Sequence, residues 1–152
     1  IAVRETVSAG QNHTVGLNSD GTVKAGTFCF KKAGSGNGEV FAHAALTGAA
    51  DAVPLGFVER VVDSYIPTVG GDATQVYPAG AALTVAIRGQ YYIEAPAAIA
   101  SDGLGVFINP TTGAISIAAS AGTGEVDTGW TCRIPNGGTS AAQGDIVIVE
   151  RF

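Results

Sequence analysis

Ala82-Leu83-Thr84-Val85-Ala86-Ile87-Arg88-Gly89-Gln90-Tyr91-Tyr92-Ile93-Glu94 alternates in two phases, one on either side of Gly89. Alternation at period two marks a strand that shows one face to a core. A glycine where the phase changes marks a bulge or sharp bend within that strand. Downstream, Gly105-Val106-Phe107-Ile108 and Ala114-Ile115-Ser116-Ile117 flank Asn109-Pro110-Thr111-Thr112-Gly113. Pro fixes φ for a turn and Gly supplies positive φ at its exit, which predicts a hairpin. Trp130-Thr131-Cys132-Arg133-Ile134 and Asp145 to Phe152 are further strands. Ile146-Val147-Ile148-Val149-Glu150 is apolar on both faces, which predicts a central position in a sheet.

Upstream, Thr14 to Leu17 runs into the turn cluster Asn18-Ser19-Asp20-Gly21 and out through Thr22-Val23-Lys24, the pattern of a second hairpin. Thr27-Phe28-Cys29-Phe30 continues as a strand with Phe28 and Phe30 on one face. Residues 31–38, Lys-Lys-Ala-Gly-Ser-Gly-Asn-Gly, read as an exposed, flexible loop. Glu39 to Ala45 fits either a strand or a short helix. Leu55 to Val62 is dense in β-branched residues and reads as a strand, with a helical turn as its alternative.

Composition agrees with these segments. Val, Ile and Thr contribute 41 β-branched residues against five Leu and no Met, whereas Leu and Met are the usual filler of amphipathic helices. Ala and Gly occupy 47 of the 152 positions. The length suits one domain, residues 1–152, and no repeat of longer period divides it. The expected fold is all-β: a single β-barrel or jelly-roll-like sandwich of short antiparallel strands with little helix.

Net charge is −5 and only 14% of residues are charged. Lys31 and Lys32 are the one adjacent basic pair, so no cation-lined surface for nucleic acid is expected. The hydrophobic content of 46% speaks against disorder. Apolar stretches such as Ala95 to Ala100 fall far short of a membrane span, and no membrane partner is expected. A chain that starts at Ile1 and holds no Met is expected to lack residues of its natural start. Cys29 and Cys132 read either as buried small hydrophobes or as a disulfide closing a very long loop.

Catalytic patterns are missing. There is no G-x-S-x-G elbow and no phosphate-cradling loop, and the carboxylates are scattered singly. His13 and His43 have no Cys or His at ligand spacing, so neither a metal nor a cofactor is expected and the protein reads as a non-enzyme. Asn12-His13-Thr14 matches a glycosylation triplet that nothing else supports. Tyr65, Tyr77, Tyr91, Tyr92 and Trp130 are the aromatics that could stack on a sugar or anchor an interface, with core packing the favoured role for Trp130. Adjacent Tyr91 and Tyr92 point to opposite faces of a strand, so at least one faces outward or into a partner.

From Gly80 to Ile93, through Gly105-Val106-Phe107-Ile108 with its Thr112-Gly113-Ala114-Ile115-Ser116 return, to Ala141-Ala142-Gln143-Gly144-Asp145-Ile146-Val147-Ile148-Val149, the order of features resembles the small capsid cement or decoration proteins of tailed bacteriophages. In the first half, Val23-Lys24-Ala25-Gly26-Thr27 followed by Phe28 is similar as well, while the loop at residues 31–38 departs from the short members of that family. The resemblance implies a β-barrel or jelly-roll-like structural protein without an active site. It also implies binding, as a homodimer or homotrimer, to major capsid protein on the outer surface of the virion, after synthesis in the bacterial host cytoplasm.

The expected contact residues are two sets. Ile1, Ala2, Val3, Arg4, Glu5, Thr6 and Val7 form an apolar, β-prone segment that reads as an extended arm adding a strand to a neighbouring subunit, or as the first strand of its own barrel. Tyr91 and Tyr92 are the expected interface anchors. The rival reading is a carbohydrate- or receptor-binding β-module of a phage tail or cell surface, which would need a row of exposed aromatics.

Overall fold

A computed structural model describes residues 13–32, 41–42, 44, 52–59 and 76–152. Nine strands are present among them: β1 (His13–Ser19), β2 (Phe28–Lys32), β3 (Phe41–Ala42), β4 (Ala52–Val58), β5 (Ala82–Glu94), β6 (Gly105–Ile108), β7 (Ile115–Ala118), β8 (Val126–Arg133) and β9 (Ile146–Arg151). The only helical element among the described residues is a 3₁₀ turn at Pro135–Gly137. The sheet runs in the order β2-β4-β5-β9-β8-β6-β7, with β1 also paired to β5 and β3 to β1. Every pairing is antiparallel except that of β1 with β3. The all-β class expected from composition therefore holds. Among the described residues the sheet is open, with β2 and β7 at the two ends of its path.

Strand β5 organises the rest. Its first part, Ala82 to Arg88, pairs with β1, and Val85 and Ala86 also pair with β4. From Gly89 onward it pairs with β9. The register of β5 with β1 skips Ile87, since Ala86 lies opposite Thr14 and Arg88 opposite His13, and this bulge shifts the side-chain phase by one residue just before Gly89, which has φ 139°. Ala86 on one side of it and Tyr91 and Ile93 on the other thereby enter the same core.

That core draws Phe28 and Phe30 from β2, Phe57 from β4, Val106 and Ile108 from β6, Trp130 and Cys132 from β8, and Val147 and Val149 from β9. Both parts of the sheet thus contribute to one cluster, on either side of the bulge at Ile87. Aromatic rings fill its centre. Phe57 stacks on Tyr91 with centroids 4.6 Å apart, and Phe28 meets Trp130 edge-on at 5.6 Å. A second cluster lies on the other face of β2, β4 and the start of β5, where Cys29, Val58, Leu83 and Val85 are covered by Val23 and Tyr77. The Tyr77 amide donates to the Val23 carbonyl at 2.8 Å, and Lys24 bridges to Val76.

β4 passes very close to β5. A Cβ at Gly56 would run into the Ala86 carbonyl oxygen and lie 2.9 Å from its carbon and 3.2 Å from Val85 Cγ1. Only glycine fits between the two strands here.

Three expectations need correction. Residues 14–24 do not form a hairpin. The turn itself is present, with Gly21 at φ 96° and the Gly21 and Thr22 amides held by Ser19 Oγ and Asp20 Oδ1, but β1 takes β5 as its partner while Val23 and Lys24 go to Tyr77 and Val76. Lys31 and Lys32 are not part of a loop: they extend β2, opposite Val53 and Ala52, and residues 33–38 lie outside the described residues. The strand expected over residues 55–62 starts earlier and ends at Val58. By contrast, β5 has the expected bounds, the β6–β7 hairpin is present, and β9 lies between β5 and β8 as its two apolar faces required.

Candidate interaction surface

Reactive groups are either buried or isolated. Among the described residues no three His, Cys, Asp or Glu side chains come together as a metal site would require. Cys29 and Cys132 are both free and buried, one in each hydrophobic cluster. Burial pushes the Cys29 thiol up to about 12 and the Cys132 thiol to about 11, so neither is a ready nucleophile.

The aromatics divide in the same way. Trp130 and Tyr77 are core residues. Tyr91 is 3% exposed, its ring on Phe57 and its hydroxyl donating to Glu59 Oε1 at 2.6 Å, while the Tyr77 hydroxyl donates to the Glu59 carbonyl at 2.9 Å. Of the expected anchor pair, Tyr91 therefore points inward and the half-buried Tyr92 points to the opposite face. Ile1 to Val7, His43 and Tyr65 lie outside the described residues.

Tyr92 does not stand alone on its face. With Tyr91, Ile93, Val147, Val149, Trp130 and Cys132 turned into the core, alternation sends Gln90, Tyr92 and Glu94 of β5, Ile146, Ile148 and Glu150 of β9, and Thr131 and Arg133 of β8 outward. Register then places Tyr92 opposite Ile148 and Ile148 opposite Arg133, with Glu94 opposite Ile146. Ile146 is 44% exposed, a high value for a large apolar residue in a central strand. Beside this apolar strip lies a polar group fixed by its own contacts. Glu150 Oε2 accepts from Gln90 Nε2 at 2.6 Å and pairs with Arg133 Nε at 3.3 Å. Ile148 on the same face is only 7% exposed, so the open apolar surface is Ile146 with the half-buried Tyr92; beside a satisfied polar group and backed by a packed core, it has the anatomy of a small protein-binding face.

Sequence reasoning reached Tyr92 and missed its neighbours. The signal lay in Ile146 to Glu150, a strand apolar on both sides. One face belongs to the core, and the second needs a cover that the described residues supply only in part.

Comparison with known families gives one finding. A family model described as phage structural cement protein (E217 gp24/Pam3 gp6) matches residues 4–151. No curated protein matches the chain.

Proposed function

The chain belongs to the phage structural cement protein family, and from that premise we propose that it binds the outer surface of an assembled capsid and stabilises contacts between major capsid protein subunits. The match over nearly the whole chain carries this reading, and the exposed Ile146 on the same face as half-buried Tyr92 supports it. A protein that binds the assembled lattice and not its separated subunits stabilises that lattice by its binding free energy. Occupation of many identical positions as a homodimer or homotrimer makes modest affinity per contact sufficient.

The residues assigned to this contact are Tyr92 with its neighbours on β9, and the arm Ile1 to Val7. Tyr91 serves it from within, by fixing β5 against Phe57 and Glu59. The location that follows is the virion exterior, reached after synthesis in the bacterial host cytoplasm. A sugar-binding module is disfavoured because Tyr77, Tyr91 and Trp130 are buried, which leaves no row of exposed rings among the described residues.

Co-sedimentation with expanded and with unexpanded shells of the cognate phage tests the proposal. Saturable binding to expanded shells and little to the precursor is expected; binding to neither would sink it. Removal of residues 1–7 should weaken binding, and unchanged binding would return that segment to the protein's own fold.

A further inference from the structure

Where Gln90 to Glu94 of β5, Ile146 to Glu150 of β9 and Thr131 to Arg133 of β8 turn outward, the face carries a single cation, Arg133. Cys132 points into the core, so Arg133 points to solvent, and its side chain is 48% exposed. Its register partner is Ile148, whose neighbour on the far side is Tyr92. A long cationic side chain lays its methylene stem along such an apolar neighbour and holds its head in water. The burial of Ile148 between Tyr92 and Arg133 fits that arrangement.

The guanidinium is held from one side only. Its Nε lies 3.3 Å from Glu150 Oε2, and the same oxygen accepts from Gln90 Nε2 at 2.6 Å. The Glu150 side chain is 17% exposed, so the group that positions Arg133 is itself set into the sheet surface. Neither Nη nitrogen has a partner among the described residues. An ion pair this exposed adds little to stability. What it does is fix the direction of the guanidinium while the Nη donors stay available.

We propose that Arg133 is the specificity-determining anchor of the capsid contact: its Nη nitrogens receive the carboxylate of an Asp or Glu on the major capsid protein, and an apolar neighbour of that residue covers Ile146. The anchor rests on the capsid-binding reading and names the chemistry of that contact. Arg133 presents donors alone, and its planar fork matches the two oxygens of a carboxylate. Phosphate is also recognised by such a fork, but one cation on a chain of net charge −5 makes no surface for a nucleic acid or an anionic lipid. Ile146 stands one pleat, about 7 Å, along β9 from Ile148, so one partner segment with an acidic and an apolar side chain reaches both. A guanidinium already oriented by Glu150 loses little freedom on binding, which favours Arg133 over a free surface cation as the anchor.

Co-sedimentation with expanded shells of the cognate phage, repeated over a range of salt concentrations, tests the anchor. Arg133→Gln should weaken binding about 10- to 100-fold and flatten its salt dependence, while the urea midpoint stays at the native value. Arg133→Lys should keep the salt dependence but bind more weakly than the native chain, because an ammonium lacks the fork. Treating shells loaded with the Arg133→Lys variant with a zero-length carbodiimide should couple the new amine to an Asp or Glu of the capsid protein, which peptide mass spectrometry locates. A native chain that binds no shells overturns the anchor together with the capsid-binding reading. Native binding that Arg133→Gln leaves unchanged in strength and salt dependence overturns the anchor alone, as does carbodiimide coupling confined to Glu150 of the same chain.

Discussion

Gly56→Ala sets two opposing effects against each other. Replacing glycine in a strand stabilises by about 0.4–1 kcal/mol, because the unfolded chain loses freedom. Against it, the new Cβ would sit 2.9 Å from the Ala86 carbonyl carbon, where 3.4–4 Å is ordinary contact, and closer still to its oxygen. β4 must back away from β5 by about 1 Å, enough to stretch a hydrogen bond beyond useful length. The neighbouring bonds at risk include the Glu59 amide to the Thr84 carbonyl, 3.0 Å in the native protein. Two weakened bonds at about 1 kcal/mol each, with about 1–3 kcal/mol of overpacking around Phe57 and Val85, outweigh the entropic gain. A net loss of about 2–4 kcal/mol is expected, equivalent to a fall in Tm of about 5–15 °C for a chain of this size. Urea unfolding followed by fluorescence of Trp130, the single and fully buried tryptophan, reads the change directly. A midpoint equal to or above the native one would refute the close approach of β4 to β5.

Three further outcomes are expected. Tyr91→Phe keeps the ring on Phe57 but removes the 2.6 Å bond to Glu59, and should cost about 1–2 kcal/mol in the same urea assay; no loss would show that Glu59 is satisfied by water. Ile146→Asp should weaken capsid binding while stability stays within about 0.5 kcal/mol, as for other exposed positions, which parallel sedimentation and unfolding would check. The Cys29 thiol ionises in the unfolded chain near 9.0 but in the folded chain only near about 12. Between those values the unfolded state is the one that has lost its proton, so stability falls by up to about 1.4 kcal/mol per pH unit. Native protein should therefore lose more stability than Cys29→Ala from pH 9 to pH 11, and parallel curves would contradict the burial of that thiol.

Local chemistry made part of this fold legible in advance. The change of phase within β5 and the Asn109 to Gly113 turn are decided within a few residues, and both were readable from the chain, although the bulge falls at Ile87 rather than at Gly89. The start of the chain was not readable in the same way. Ser19, Asp20 and Gly21 announce a tight turn correctly, but whether β1 pairs with Thr22 to Lys24 or with β5 depends on a competition with residues more than sixty positions away. The candidate surface shows the same division. Alternation assigns Tyr91 and Tyr92 to opposite faces, yet only the register of β5 with β9 and of β9 with β8 brings Tyr92, Ile148 and Arg133 into one row.

The pairing of β6 with β7 also governs the order in which the chain can fold. Along the path of the sheet it is the one pairing closed by a tight turn, residues 109–114; every other neighbour must be found across a dozen residues or far more. A hairpin of this kind forms in about 1–10 μs, whereas sheets dominated by distant pairings take milliseconds to seconds to complete. The uncharged β7 edge is thus present long before β8, β9 and β5 have closed the core beneath it. Refolding yield should accordingly fall as protein concentration rises.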